Sequence, residues 1–95
     1  MSKGAVLVDW RDNVALLTLN RPERRNAVDL ESLLLIREAQ VEAQKRKIRA
    51  LVLTGTAPAF CAGADLAGVR EDVFHETLNE VLRGFTQLSC VTIAA

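Results

Sequence analysis

Two short stretches of the chain have the composition of ligand-binding loops. Residues 54–66, TGTAPAFCAGADL, contain two glycines, a proline and very small side chains, so a ligand could approach their backbone N–H groups. Residues 20–27, NRPERRNA, hold three arginines and one acid, which would suit the border of a site for a phosphorylated ligand. On composition alone, a plain strand-to-helix connection and a solvated loop explain these stretches as well.

The other residue types that carry chemistry form no recognisable motif. Cys61 lies in the first stretch, but the only histidine, His75, is more than ten residues away, and this spacing does not indicate a Cys–His pair. Asp65 is the only acid of that stretch, so no pair of acids for proton transfer is identified. Neither phosphate-binding glycine motif is present, and two cysteines make neither a disulfide framework nor a metal site.

Composition limits the class of protein. The 95 residues suit one domain, and 49% of them are hydrophobic. Twelve basic and twelve acidic residues cancel, which removes the electrostatic case for binding nucleic acid or a membrane surface. The apolar run near the N-terminus is too short for a signal peptide, and no run is long enough to cross a membrane. We therefore expect a cytoplasmic protein.

Hydrophobic patterns predict an α/β fold in the order β-β-α-β-α-β. Strands are predicted at residues 5–10, 14–19, 48–53 and 91–95, with a hairpin turn at 11–13. Asp29 predicts the N-cap of a helix through residue 47. That helix is apolar on two faces, so we expect a sheet and a further layer to cover it. A strand, a crossover helix and a strand predict parallel pairing.

The second helix carries the clearest apolar stripe. Its members recur at three- and four-residue spacing, which is typical of a face buried in a core: Phe74, Leu78, Val81, Leu82, Phe85 and Leu88. We therefore assign this stripe to packing.

Three segments together resemble the enoyl-CoA hydratase/isomerase (crotonase) family. They are residues 19–27, LNRPERRNA; residues 51–55, LVLTG; and residues 59–66, AFCAGADL, in the family's order and spacing. The resemblance extends over essentially all of residues 1–95, as the N-terminal part of one crotonase-like domain. It implies an incomplete spiral of β-β-α units, in proteins that are usually trimers or pairs of trimers.

The resemblance also implies roles for individual residues. Arg24 and Arg25 would contact the phosphates of coenzyme A, which enters as part of the thioester substrate; no metal is implied. Ala62, Ala64 and Leu66 would touch the coenzyme, and Ala27, Gly63 and Asp65 complete the implied binding set. The backbone N–H of Ala64 would be one of two oxyanion donors to the thioester carbonyl, in hydration of a 2-enoyl thioester within fatty-acid or related acyl-CoA metabolism. An isomerase or another thioester reaction of the family would use the same residues.

The sequence also departs from the family pattern. The second oxyanion donor and the catalytic glutamates of the family would follow residue 95, so we expect a truncated chain without activity of its own. An inactive remnant or interaction fragment is the alternative. Ala67 stands where some hydratases have a lysine near the adenine, although Arg70 follows soon after. Ser89 and Cys90 replace the Lys-Pro pair that often precedes the last strand.

Overall fold

The computed structural model describes residues 4–56, 61, 63, 64, 70–88 and 90–94. Their elements follow in the order β1 (Val6–Arg11), β2 (Val14–Leu19), a 3-10 turn (Pro22–Arg24), α1 (Leu30–Arg46), β3 (Ala50–Gly55), α2 (Glu71–Gln87) and β4 (Val91–Ala94). The strands form one sheet in the order β1-β2-β3-β4. β1 is antiparallel to β2, whereas β2–β3 and β3–β4 are parallel. The predicted order of elements and the parallel crossovers are therefore confirmed.

The hairpin between β1 and β2 is tighter than the sequence predicts. Arg11 pairs with Val14, so only Asp12 and Asn13 form the turn. Asp12 adopts a left-handed φ of 51°, which aspartate tolerates better than most residues. The predicted three-residue turn is thus one residue too long.

Helix α1 begins as the sequence predicts. The Asp29 carboxylate accepts a hydrogen bond from the Ser32 N–H at 2.8 Å, and the Asp29 N–H donates to the Ser32 hydroxyl at 3.4 Å. This reciprocal capping box satisfies N–H groups that the first turn leaves without helical partners. The helix ends at Arg46, and Lys47 then turns the chain with a left-handed φ of 52°.

Strand β3 begins at Ala50, two residues later than predicted. The Ile48 N–H still donates to the Ala43 carbonyl of α1 at 3.4 Å. The next two N–H groups, of Arg49 and Ala50, donate to the Asn13 carbonyl in the hairpin turn, at 2.7 and 3.2 Å. Residues 48 and 49 therefore connect the end of α1 to the sheet and do not belong to β3.

The core lies between one face of the sheet and the two helices. Ala15, Leu17 and Leu19 alternate along β2 and are buried, as the two-residue period of a strand requires. Leu51 of β3 and Phe74 of α2 have no exposed surface. The remaining buried apolar residues are Val6, Leu33, Ile36, Ala39, Ala43, Ile48 and Val81.

Helix α1 contacts β1, β2 and α2, and its buried residues recur at the spacing of one broad face. This agrees with the expectation that a sheet and a second layer would cover it. The cover is partial, because Leu34 and Val41 remain 54% and 43% exposed. Between the helices, the buried Gln40 side chain donates from Nε2 to the Val81 carbonyl at 2.9 Å. In the apolar stripe of α2, Phe74 and Val81 are buried but Leu82 is 54% exposed.

Parallel pairing places two loops at the same edge of the sheet. β2 and β3 run in register from Val14 opposite Ala50 to Leu19 opposite Gly55, so both strands end together. The Thr56 N–H continues this pairing by donating to the Leu19 carbonyl at 2.9 Å. The segments that follow β2 and β3 therefore start side by side.

Within the described residues, no helix combines the length and the apolar character that crossing a membrane would need.

Candidate functional site

The first loop of the site follows β2 and is built around a reversal of the chain. A 3-10 turn spans Pro22–Arg24, with its N-terminal proline supplying a preset φ. Arg25 and Asn26 then adopt left-handed φ values of 54° and 60°. The Arg25 N–H donates to the Pro22 carbonyl at 3.0 Å and the Asn26 N–H to the Arg21 carbonyl at 2.8 Å. We call residues 20–29 the cationic loop.

The three arginines of the cationic loop are not equivalent. Arg21 turns inward: its Nη1 donates to the Ala27 carbonyl at 2.7 Å and lies 3.5 Å from an Asp29 carboxylate oxygen. Its side chain is only 18% exposed. Arg24 and Arg25 are exposed, and no ion pair joins either of them to another described residue. The two arginines predicted to contact phosphates are therefore available to solvent.

Asn26 is a site residue that the sequence reasoning missed. It is 1% exposed, although it lies between an exposed arginine and a half-buried alanine. Its Oδ1 accepts from the Arg21 N–H at 2.9 Å, and its Nδ2 donates to the Thr56 carbonyl at 2.7 Å. The available signal was an asparagine in a turn segment, since asparagine is enriched among residues with positive φ.

The second loop follows β3, and the structure describes only part of it. Ala62, Asp65 and Leu66, three of the predicted coenzyme contacts, lie outside the described residues, as does Ala67. Gly63 and Ala64 are described and both are exposed. Gly63 has a φ of +125°, a conformation open to glycine and rarely adopted by other residues. Its predicted contact with the coenzyme stays a prediction.

The two loops meet at one backbone contact. The Val28 N–H donates to the Gly63 carbonyl at 2.8 Å, and Val28 and Ala64 form an isolated parallel bridge. The Gly63 carbonyl and the Ala64 N–H belong to the same peptide unit, and in a trans peptide they point in opposite directions. Because the carbonyl points at Val28, the Ala64 N–H points away from it. None of the described residues accepts a hydrogen bond from this N–H.

The remaining chemically reactive residues have other contacts. The Cys61 thiol donates to the Gly63 carbonyl at 3.6 Å, and its side chain packs against the core. His75 is exposed on α2, with its ring edge-on to Phe74. Arg70, the N-cap residue of α2, pairs with Asp72 in the first turn of that helix at 2.6 Å. No group of three metal-binding side chains occurs within the described ranges.

The two loops could bind a ligand that carries both an anionic group and a carbonyl oxygen. Exposed guanidinium groups can contact phosphate oxygens, and a fixed N–H group nearby in the fold can donate to a carbonyl oxygen on which charge develops. The structure brings the segment containing Ala27 and Val28 against Gly63 and Ala64. Arg24 and Arg25 lie on the same cationic loop, on its exposed side.

Several known proteins are similar to this chain in sequence. The profile of the Enoyl-CoA hydratase/isomerase family matches residues 9–95. EchA14 of Mycobacterium tuberculosis, named as a probable enoyl-CoA hydratase, is 40% identical over 97 aligned residues, which cover 95% of this chain and 38% of that protein. The 2,3-dehydroadipyl-CoA hydratase of Escherichia coli is 41% identical over 76 residues, covering 79% of this chain and 30% of that protein.

A solved structure agrees at the level of the fold. The enoyl-CoA hydratase of Mycobacterium smegmatis superposes with a TM-score of 0.84 at 30% identity, covering 97% of this chain and 39% of that one. The chain thus spans well under half the length of these relatives. It carries the corresponding part of the crotonase fold, in agreement with the predicted incomplete spiral. By sequence and by fold, this chain belongs to the enoyl-CoA hydratase/isomerase family.

Proposed function

We propose that these residues form the acyl-CoA-binding part of an enoyl-CoA hydratase-like protein. The observation that carries the proposal is the contact between the two loops, in which Val28 holds the Gly63 carbonyl and the Ala64 N–H faces the opposite way. Arg24 and Arg25 would bind the phosphates of coenzyme A. Ala62, Asp65 and Leu66 would line the coenzyme path together with Ala27 and Gly63.

The proposed chemistry is hydration of a 2-enoyl thioester. Addition of water at the β-carbon moves electron density onto the thioester oxygen, which becomes an enolate oxygen. The Ala64 N–H would donate a hydrogen bond to that oxygen, and one such preorganised donor lowers a barrier by about 3 kcal/mol in comparable sites. Two matched relatives carry the word hydratase in their names, which supports hydration. Isomerisation also passes through an enolate and is the alternative within the family.

Charge reversal tests the coenzyme site. We expect the double variant Arg24→Glu, Arg25→Glu to weaken binding of coenzyme A to the 95-residue chain by about tenfold or more at low salt, because two phosphate contacts become repulsive. Isothermal titration calorimetry, or a ligand titration followed by amide chemical shifts, measures this affinity. Arg83→Glu, an exposed change on α2, is the matched control and should leave the affinity within about twofold.

Pantetheine separates the charge effect from damage to the fold. Pantetheine lacks the coenzyme's phosphates, so it should bind more weakly than coenzyme A. Its affinity should be the same for the double variant and for the unmodified chain. Equal coenzyme A affinity in the double variant and in Arg83→Glu would contradict the assignment of these two arginines.

A second function is an interaction fragment that binds another polypeptide strand. The observation in its favour is the exposure of β4, where Val91 and Ile93 are 62% and 46% exposed on an uncharged strand. Such an edge is a template for pairing with another strand. An apparent mass that rises with protein concentration in analytical ultracentrifugation, without saturable coenzyme A binding, would favour this function. Saturable binding by a monomeric chain would favour the thioester site.

A further inference from the structure

We propose that Asn26 is a positioning residue that fixes the direction of the Ala64 N–H. The proposal rests on the proposed thioester site and adds a specific cause for its geometry. Asn26 does not adjoin Ala64 in sequence, and its side chain is occupied by Arg21 and Thr56. Its effect would be transmitted through the backbone of the cationic loop.

The first step is the attachment of the cationic loop to the sheet. Through Nδ2, Asn26 joins the loop to the carbonyl of Thr56, directly after β3 and thirty residues along the chain. A second bond supports the same junction, from the Thr56 hydroxyl to Asn20 Oδ1 at 3.2 Å. Asn26 itself is 1% exposed and its two bonds are partly buried, so losing them would leave polar groups without partners.

The second step is the short path from Asn26 to the second loop. Val28 follows Asn26 by two residues, and its N–H holds the Gly63 carbonyl at 2.8 Å. Between them, the Ala27 carbonyl is held by Arg21 Nη1 at 2.7 Å, which restricts how this segment can turn. Asn26 and Arg21 therefore help to set the position of the Val28 N–H relative to the sheet, together with the Asp29 cap of α1 that follows it.

The third step is the rigid Gly63–Ala64 peptide. With its carbonyl anchored on Val28, the peptide plane can rotate only if that hydrogen bond breaks. The glycine at residue 63 makes such rotation easy once the anchor is lost, because glycine has few disfavoured conformations. Loss of the Asn26 amide should therefore free the Ala64 N–H to change direction, even if the sheet and helices stay folded.

Asn26→Gly is the direct test, because glycine accepts the φ of 60° and removes the side-chain bonds. We expect hydrogen exchange of the Val28 amide to accelerate by about tenfold or more relative to the buried Leu17 amide in β2. We also expect the Ala64 amide resonance to move. Ala43→Gly, a buried change within α1, is the control for a general loss of stability and should leave this exchange ratio unchanged.

A ligand measurement gives the functional consequence. In Asn26→Gly, the ratio of affinities for crotonyl-CoA and coenzyme A should fall, because only the former presents the carbonyl. If the unmodified chain binds neither compound, the proposed function fails, while the exchange ratio still tests the positioning role. If Asn26→Gly does not fold, Asn26→Asp gives the same readout, since it keeps the acceptor for Arg21 and places a carboxylate oxygen against Thr56. An exchange ratio and an Ala64 resonance that match those of the Ala43→Gly control would overturn the proposal.

Discussion

At the scale of a single residue, Gly63 supplies the backbone conformation in which its carbonyl accepts from the Val28 N–H. Its φ of +125° disfavours any side chain, yet a Cβ built there would meet no atom of the described residues within 4 Å. At residue 63 the backbone conformation disfavours a side chain, whereas the space left by the described residues would admit one. A substitution would test the backbone preference alone, without a collision.

We expect Gly63→Ala to break the Val28–Gly63 hydrogen bond, because alanine would be strained by about 1–3 kcal/mol at this φ and would relax to another conformation. Faster exchange of the Val28 amide and a displaced Ala64 resonance would report the change. Gly4→Ala is the matched control, since a Cβ there makes ordinary contacts of 3.5 Å and longer and its φ is not positive. If the Val28 amide in Gly63→Ala exchanged at the rate of the unmodified chain, the turn would not need glycine at residue 63.

The sequence predicted some features of the candidate site and not others. Glycine and small residues at 62–64 predicted a close approach of a ligand to the backbone, which stays a prediction, while the positive φ of Gly63 shows a backbone conformation that favours glycine. Asn26 could not be found in this way, because its partners are five and thirty residues distant and depend on how β2 and β3 are paired. The inward direction of Arg21 depends on Ala27 and Asp29 in the folded loop, so composition could not separate it from Arg24 and Arg25.

At the level of elements, the contact between α1 and α2 depends on the absence of a side chain at Gly84. A Cβ at this position would overlap Gln40 Oε1 and lie 2.7 Å from Arg37 Nη1. Gln40 is itself engaged with the Val81 carbonyl and with Arg37, at 2.9 and 3.1 Å. The buried glutamine and the glycine therefore form a matched pair across the two helices.

We expect Gly84→Ala to lower the free energy of unfolding by about 1–3 kcal/mol, because overpacking outweighs the better helix propensity of alanine. The double variant Gln40→Ala, Gly84→Ala should be more stable than the sum of the two single changes predicts, by about 1 kcal/mol, since the collision disappears. Chemical denaturation of the four chains gives this coupling. Strictly additive effects would show that residues 40 and 84 do not constrain one another.

Local signals predicted the elements best where local bonds decide them. The Asp29 cap and the bounds of β2 agree with the sequence because the capping box and the two-residue period act over a few positions. The start of β3 was wrong because Ile48, Arg49 and Ala50 are placed by bonds to Ala43 and to the distant Asn13. The exposure of Leu34 and Val41 likewise depends on where α2 lies.

At the level of the whole molecule, parallel pairing of β2 and β3 gives the site its location. Both strands end at the same edge, so the cationic loop starts beside Thr56, and Val28 and Ala64 then bring the two loops together. The order of elements predicted the fold class, and the three family segments predicted the family. Which peptide is anchored, and by which N–H, follows only from the folded contact at Val28.

The most direct test of the account is the response of the Ala64 amide to two ligands. We expect saturating crotonyl-CoA to shift the Ala64 amide proton downfield, as a new hydrogen bond to the thioester oxygen requires, whereas coenzyme A, which lacks that carbonyl, should leave it largely in place. Both ligands should perturb the amides of Arg24 and Arg25. An Ala64 amide that responds equally to both ligands, or to neither while the chain is saturated, would contradict the assignment of this N–H as the thioester donor.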